Sequence, residues 1–274
     1  MFIQRALVTF TLGPLALYLV YLGGWFYFVP ITAVLLLAAV EYSDLIHELG
    51  LRNEKWVLVT AVFLLLLTAQ WFPPTYLAPI SVICFIASLA IVLWSYEKKT
   101  SNTVPADWMG MTTGIVLIGW IGSHFMLLRN LDNMAWQWTM LALLSTWLAD
   151  SAAYVVGRFL AGKIILGHHQ LSPRLSPNKT IEGYAGGILL GTLITVTIAK
   201  ILQLPLVAAL ILGLLVSIIS PVGDLGISLL KREAGVKDSG RIFGEHGGAL
   251  DRVDSLLWSV TMAYYLILIL QIQS

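Results

Sequence analysis

Residues 206–232 read "LVAALILGLLVSIISPVGDLGISLLKR". Eighteen residues pass without a charge before Asp224, and a Lys231-Arg232 pair closes the run. An apolar stretch of that length is read as a helix crossing a hydrocarbon core, because lipid offers the backbone no hydrogen-bond partner. Runs of similar character recur near 6–23, 25–41, 56–72, 76–96, 108–128, 134–156, 183–201, 205–230 and 255–272. Composition agrees: 58% of residues are hydrophobic, 11% are charged, and the mean hydropathy is +0.84. These values exclude an ordinary soluble domain. The expected fold is an all-α polytopic membrane protein of about nine transmembrane helices. The first run lacks an A-x-A-like cleavage site and is read as a retained span. A single cysteine, Cys84, excludes an intramolecular disulfide.

Orientation follows from lysine and arginine. With the N-terminus cytoplasmic, inside segments hold Arg5, Arg52, Lys55, Lys98, Lys99, Arg158, Lys163, Arg174, Lys179, Lys231, Arg232, Lys237, Arg241 and Arg252. Only Arg129 and Lys200 fall outside. That asymmetry predicts N-in, C-out. The net charge of +1 says nothing useful about partners, because the distribution of the charges matters far more; no nucleic-acid partner is expected. After the second span, "EYSDLIHELGL" (41–51) places Tyr42, Leu45, Ile46 and Leu49 on one helical face. This suits either an interfacial amphipathic helix or a helix packed on the protein's own cytoplasmic side.

The chain divides by content into N-terminal transmembrane helices, 1–130, and a catalytic transmembrane region, 131–274, with cytoplasmic loops at 157–182 and 231–254. The second loop, "KREAGVKDSGRIFGEHGGALDRVD", holds ten of the chain's thirty-one charged side chains. Asp150 interrupts an apolar helix, and an intramembrane carboxylate marks a functional site by default. In "LSPNKTIEG" (175–183), Lys179 and Thr180 precede a helix start, with Ser176 and Asn178 beside them. A lysine and helix-terminal N–H groups together make a phosphate cradle. The adjacent His168 and His169 are read as loop residues. Asp224 lies seven residues before Lys231, about two helical turns, so the two share a side. Asp251 and Asp254 are three apart and share a face if helical. Asp224, Asp251 and Asp254 together offer oxygen ligands for a hard cation such as Mg²⁺. The basic residues of the same loop suit phosphates, and Gly247 and Gly248 let backbone N–H groups approach an anion. The inventory points to metal-assisted phosphoryl or nucleotidyl transfer at the cytoplasmic surface.

These residues resemble the phosphatidate cytidylyltransferases, or CDP-diacylglycerol synthases. The likeness rests on Ser228, Lys231-Arg232, Lys237-Asp238, His246-Gly247-Gly248 and Asp251-Arg252-Val253-Asp254, with the family's spacing kept. "LADSAAYVVGR" and "LSPNKTIEG" extend it over roughly 145–258. Ala249 departs from the pattern, which usually has a larger apolar residue there. The resemblance implies transfer of CMP from CTP to phosphatidate, with Mg²⁺ required, a second cation left open, and pyrophosphate released. It implies catalytic roles for Asp224, Asp251, Lys179 and Asp150. Substrate contacts fall to Ser176, Asn178, Lys231, Arg232, Lys237, Asp238, His246, Gly247, Gly248 and Arg252. The expected setting is a bacterial-type inner membrane with the site facing the cytoplasm. Expected partners are CTP, phosphatidate and membrane lipids, and a homo-oligomer is compatible with the sequence. A CTP-dependent lipid-alcohol kinase shares the design but attacks the γ-phosphorus. A transporter could also use intramembrane carboxylates, but the N-terminal half lacks a counterpart to the two polar loops.

Overall fold

A computed structural model describes residues 13–162, 167–242 and 247–270. It is helical almost throughout. The helices are α1 (Gly13–Leu22), α2 (Gly24–Glu48), α3 (Lys55–Trp71), α4 (Leu77–Glu97), α5 (Val104–Gly114), α6 (His124–Arg129), α7 (Ala135–Val155), α8 (Ile181–Ile201), α9 (Leu206–Glu233) and α10 (Leu250–Ile269). Wider π-helical turns, Ile115–Trp120 and Val156–Leu160, follow α5 and α7. Among the described residues, seven helical segments are long and apolar enough to cross a membrane. α1 and α3 are apolar but shorter. The protein is therefore an all-α, largely membrane-spanning molecule. One small departure is a hairpin, β1 (Gln170–Ser172) and β2 (Ser176–Thr180), paired antiparallel with Gln170 opposite Thr180.

Contacts divide the chain into two compact units. One comprises residues up to Leu127 together with Leu230–Val253; the other comprises Leu128–Leu229 and the chain from Asp254 onward.

In the first unit, α2 continues without a break through the segment expected to be a separate amphipathic helix. The reason is local: nothing in "AAVEYSDLIHE" stops a helix, and the stop comes only at Gly50, whose φ is 78°. There the Leu51 N–H reaches the Ile46 carbonyl and the Gly50 N–H that of His47, closing the helix on a left-handed glycine. Tyr42, Leu45 and Ile46 are buried, so this turn packs on protein. The Tyr42 hydroxyl donates to the Gly110 carbonyl at 2.9 Å. Glycine is needed at 114 because a Cβ there would lie 2.7 Å from the Tyr42 ring. Leu35, Leu58, Leu65, Leu66, Ile115 and Ile118 are fully buried in this unit.

In the second unit, α7 and α8 approach closely along a glycine stripe. Gly183, Gly187 and Gly191 recur every four residues and share one face of α8. A Cβ at Gly187 would stand 2.9 Å from that of Ala153, and one at Gly191 would stand 2.8 Å from that of Ala149. Hydroxyls complete the packing: Thr195 donates to Ser145 at 3.0 Å, and Thr146 to Ser259 at 2.6 Å. α9 runs unbroken through Pro221 and carries both Asp224 and Lys231.

Candidate active site

The hairpin delivers Lys179. β2 ends at Thr180, whose side chain accepts from the Gly183 N–H at 3.0 Å and caps α8. The helix start read from "NKTIEG" is thus in place, with "SPNKT" forming a strand before it. Gln170 supports the hairpin by donating to the Pro177 carbonyl at 3.1 Å. His169 is tied to the helix start, its ring Nδ1 2.6 Å from Glu182 Oε1.

The Lys179 ammonium donates to Asp224 in α9, and both side chains stay about one-third exposed. Asp150, on α7, lies within electrostatic reach of both. The glycine stripe makes this possible, because α8 can hold its N-terminus, and the lysine before it, against α7. Ser176 and Asn178 precede Lys179 in β2, and the hairpin register shifts between Gln170 and Ser172. The structure brings Asp150, Lys179 and Asp224 together. Asp254 is buried in the same unit and accepts from the Ser255 N–H at 2.6 Å.

The other unit holds the second cluster. α9 ends at Gly235, with φ 71°, and the Val236 N–H returns to the Lys231 carbonyl. Lys231 is buried and its ammonium donates to Asp251 Oδ1 at 2.5 Å. Asp251 Oδ2 accepts from the backbone N–H groups of Ser239 and Gly248, each at 2.9 Å. Gly247 sits at φ 79°, a conformation that favours glycine, and a Cβ there would lie 2.6 Å from Asp251 Oδ2. The Gly248 N–H, read from sequence as available to an anion, is directed at a carboxylate of the protein itself. Arg232, Lys237, Asp238 and Arg252 are exposed along this segment. His246 lies outside the described residues.

Sequence reasoning missed Glu41. It is only 5% exposed and accepts hydrogen bonds from the Ser239 hydroxyl at 2.8 Å and from the Ala249 and Leu250 N–H groups at 2.9 Å. The signal was present: Glu41 closes an apolar run, as Asp224 does, and the same rule about intramembrane carboxylates applies to it.

Among the described residues no cluster of three or more His, Cys, Asp or Glu side chains gathers as a metal cage. The donor chemistry nevertheless fits Mg²⁺. That ion is usually held by one or two carboxylates, with water and substrate phosphates completing its shell. Asp150 and Asp224 supply hard oxygens beside a lysine able to meet phosphate.

The cytidylyltransferase family model matches residues 3–270. Phosphatidate cytidylyltransferases from Bacillus subtilis and a Synechocystis species are each 33% identical to this chain. The alignments cover 85% and 93% of this chain, and 91% and 93% of theirs. The Staphylococcus aureus protein of the same name is 32% identical over 77% of this chain and 78% of its own. The match runs nearly end to end, through the segments that supply both lysine–aspartate pairs, and so the chain belongs to the phosphatidate cytidylyltransferase family.

Proposed function

We propose that this protein transfers CMP from CTP to phosphatidate, giving CDP-diacylglycerol and pyrophosphate. The observation that carries the chemistry is that each polar loop sets a lysine on an aspartate: Lys179 on Asp224 and Lys231 on Asp251. Each ammonium is held in place before substrate arrives and can turn to a phosphate oxygen. The lipid phosphate has a second pKa near ~6 and is largely dianionic at neutral pH. Its oxygen forms a bond to the α-phosphorus of CTP as the bond to the β-phosphate oxygen breaks. No protein nucleophile and no strong base is required. Lys179, Lys231, Arg232 and Lys237 neutralise phosphates, with Ser176, Asn178, His246, Gly247, Gly248, Asp238 and Arg252 as further substrate contacts. Asp224 and Asp251 are the Mg²⁺ ligands of this reading, Asp254 their support, and Asp150 a further ligand or a partner to Lys179. When bound, Mg²⁺ supplies charge neutralisation at the phosphates.

The same reading sets the protein N-in, C-out in a bacterial inner membrane, with loops 157–182 and 231–254 in the cytoplasm where CTP is found. Phosphatidate enters laterally and its acyl chains stay in lipid. The test is product analysis with purified protein, CTP, Mg²⁺ and phosphatidate. Pyrophosphate and CDP-diacylglycerol should appear in equal amounts. Release of CDP would indicate a kinase, and no release of either would refute both chemistries.

A further inference from the structure

α2 carries three carboxylates, and two of them, Asp44 and Glu48, are exposed. The third, Glu41, is buried, and burying a carboxylate is costly unless hydrogen bonds replace its water. Among the described residues no cation forms an ion pair with it. Its partners are three neutral donors of the signature segment: the Ser239 hydroxyl and the Ala249 and Leu250 N–H groups.

The two N–H groups lie at the start of α10, where a helix has no internal acceptor for them. A Ser, Thr, Asp or Asn just before a helix ordinarily accepts from the second or third helical N–H and leaves these two unserved. Glu41, from a different helix, accepts from both. Its presence also accounts for two glycines without left-handed backbones. A Cβ at Gly248 would strike Glu41 Oε2 and the Ser239 hydroxyl, and one at Gly240 would strike Glu41 Oε1. Residues 239–240 and 248–250 are shaped around this carboxylate.

We infer that Glu41 is a positioning residue for the reaction: by binding both ends of segment 239–250 it fixes Asp251 opposite Lys231 before substrate binds. Ser239 links the two, since its hydroxyl serves Glu41 and its N–H serves Asp251. The inference rests on the proposed roles of Asp251 and Lys231. Glutamine at 41 keeps the shape but turns an NH₂ group toward donors, so at least one of the three bonds is lost.

The experiment compares Glu41→Gln, Ser239→Ala and Asp251→Asn in detergent, by steady-state kinetics and by amide hydrogen exchange without nucleotide. Glu41→Gln should lower kcat at least about tenfold, while the KM for CTP changes less than about threefold, because the lost interactions are aimed at the transition state. Exchange should accelerate over 247–253 while α3 and α4 exchange as in the parent. Ser239→Ala should do the same more weakly, and the double variant should be no worse than Glu41→Gln alone. A kcat within about twofold of the parent, or unchanged exchange over 247–253, overturns the inference. Should Glu41→Gln fail to fold, Ser239→Ala carries the test, and an unaffected kcat there overturns it. If Asp251→Asn is fully active, the reading of the site fails first. If Asp251→Asn is inactive and Glu41→Gln unimpaired, only the role of Glu41 fails.

Discussion

Lys179 and Asp224 show what a single side chain contributes. Each neutralises the other in a partly buried setting, so removing one leaves its partner charged and poorly solvated. Asp224→Asn should lower kcat by about 10²–10³-fold, with the protein still extracted as a folded species; near-normal turnover at ordinary Mg²⁺ would remove Asp224 from the site. Lys179→Ala should raise the KM for CTP, lower kcat, or both, measured by pyrophosphate release. The aspartates of the signature and of the membrane runs were legible in the sequence because a charge in an apolar run is costly and therefore conspicuous. Glu41 escaped the sequence reading, because its donors lie 198 to 209 residues away and leave no local trace. That "SPNKT" forms a strand was hidden for a related reason, since loop composition does not reveal one.

At the scale of elements, the apolar runs named the helices well, and errors fell where polarity marked a boundary that the backbone does not use. α2 runs on to Glu48 because its stop signal is Gly50, whereas the acidic residues from Glu41 merely change one face. Packing within the second unit depends on glycine positions that the sequence offered but that hydropathy alone does not rank. Gly187→Leu inserts a side chain where even a Cβ would lie 2.9 Å from Ala153. It should destabilise the protein by about 1–3 kcal/mol, seen as a lower Tm in detergent, and reduce activity by displacing Lys179. Gly226 has open space around it, so Gly226→Ala should leave Tm unchanged or slightly raised. Equal Tm values for the two variants would refute the stripe as a packing device.

For the whole molecule, lipid imposes a rule that a sequence displays openly: long uncharged helices with cations gathered at one set of ends. The orientation drawn from that rule is tested by labelling. Ser239 is buried and bonded to Glu41, so exposed positions serve better. Arg174→Cys and Glu233→Cys, with Cys84 replaced by serine, should react with an impermeant thiol reagent in inverted vesicles and stay silent in intact cells. Reaction in intact cells would reverse the orientation. Glu41 has one more consequence, for how the protein is made. α2 leaves the ribosome early, and Leu250, its last partner, follows 209 residues later. At common synthesis rates that is roughly 10–40 s during which the carboxylate lacks its full set of donors. A chain that stops short of residue 239 never supplies them. The newborn protein thus carries a carboxylate whose hydrogen bonds are completed only when the last helix arrives.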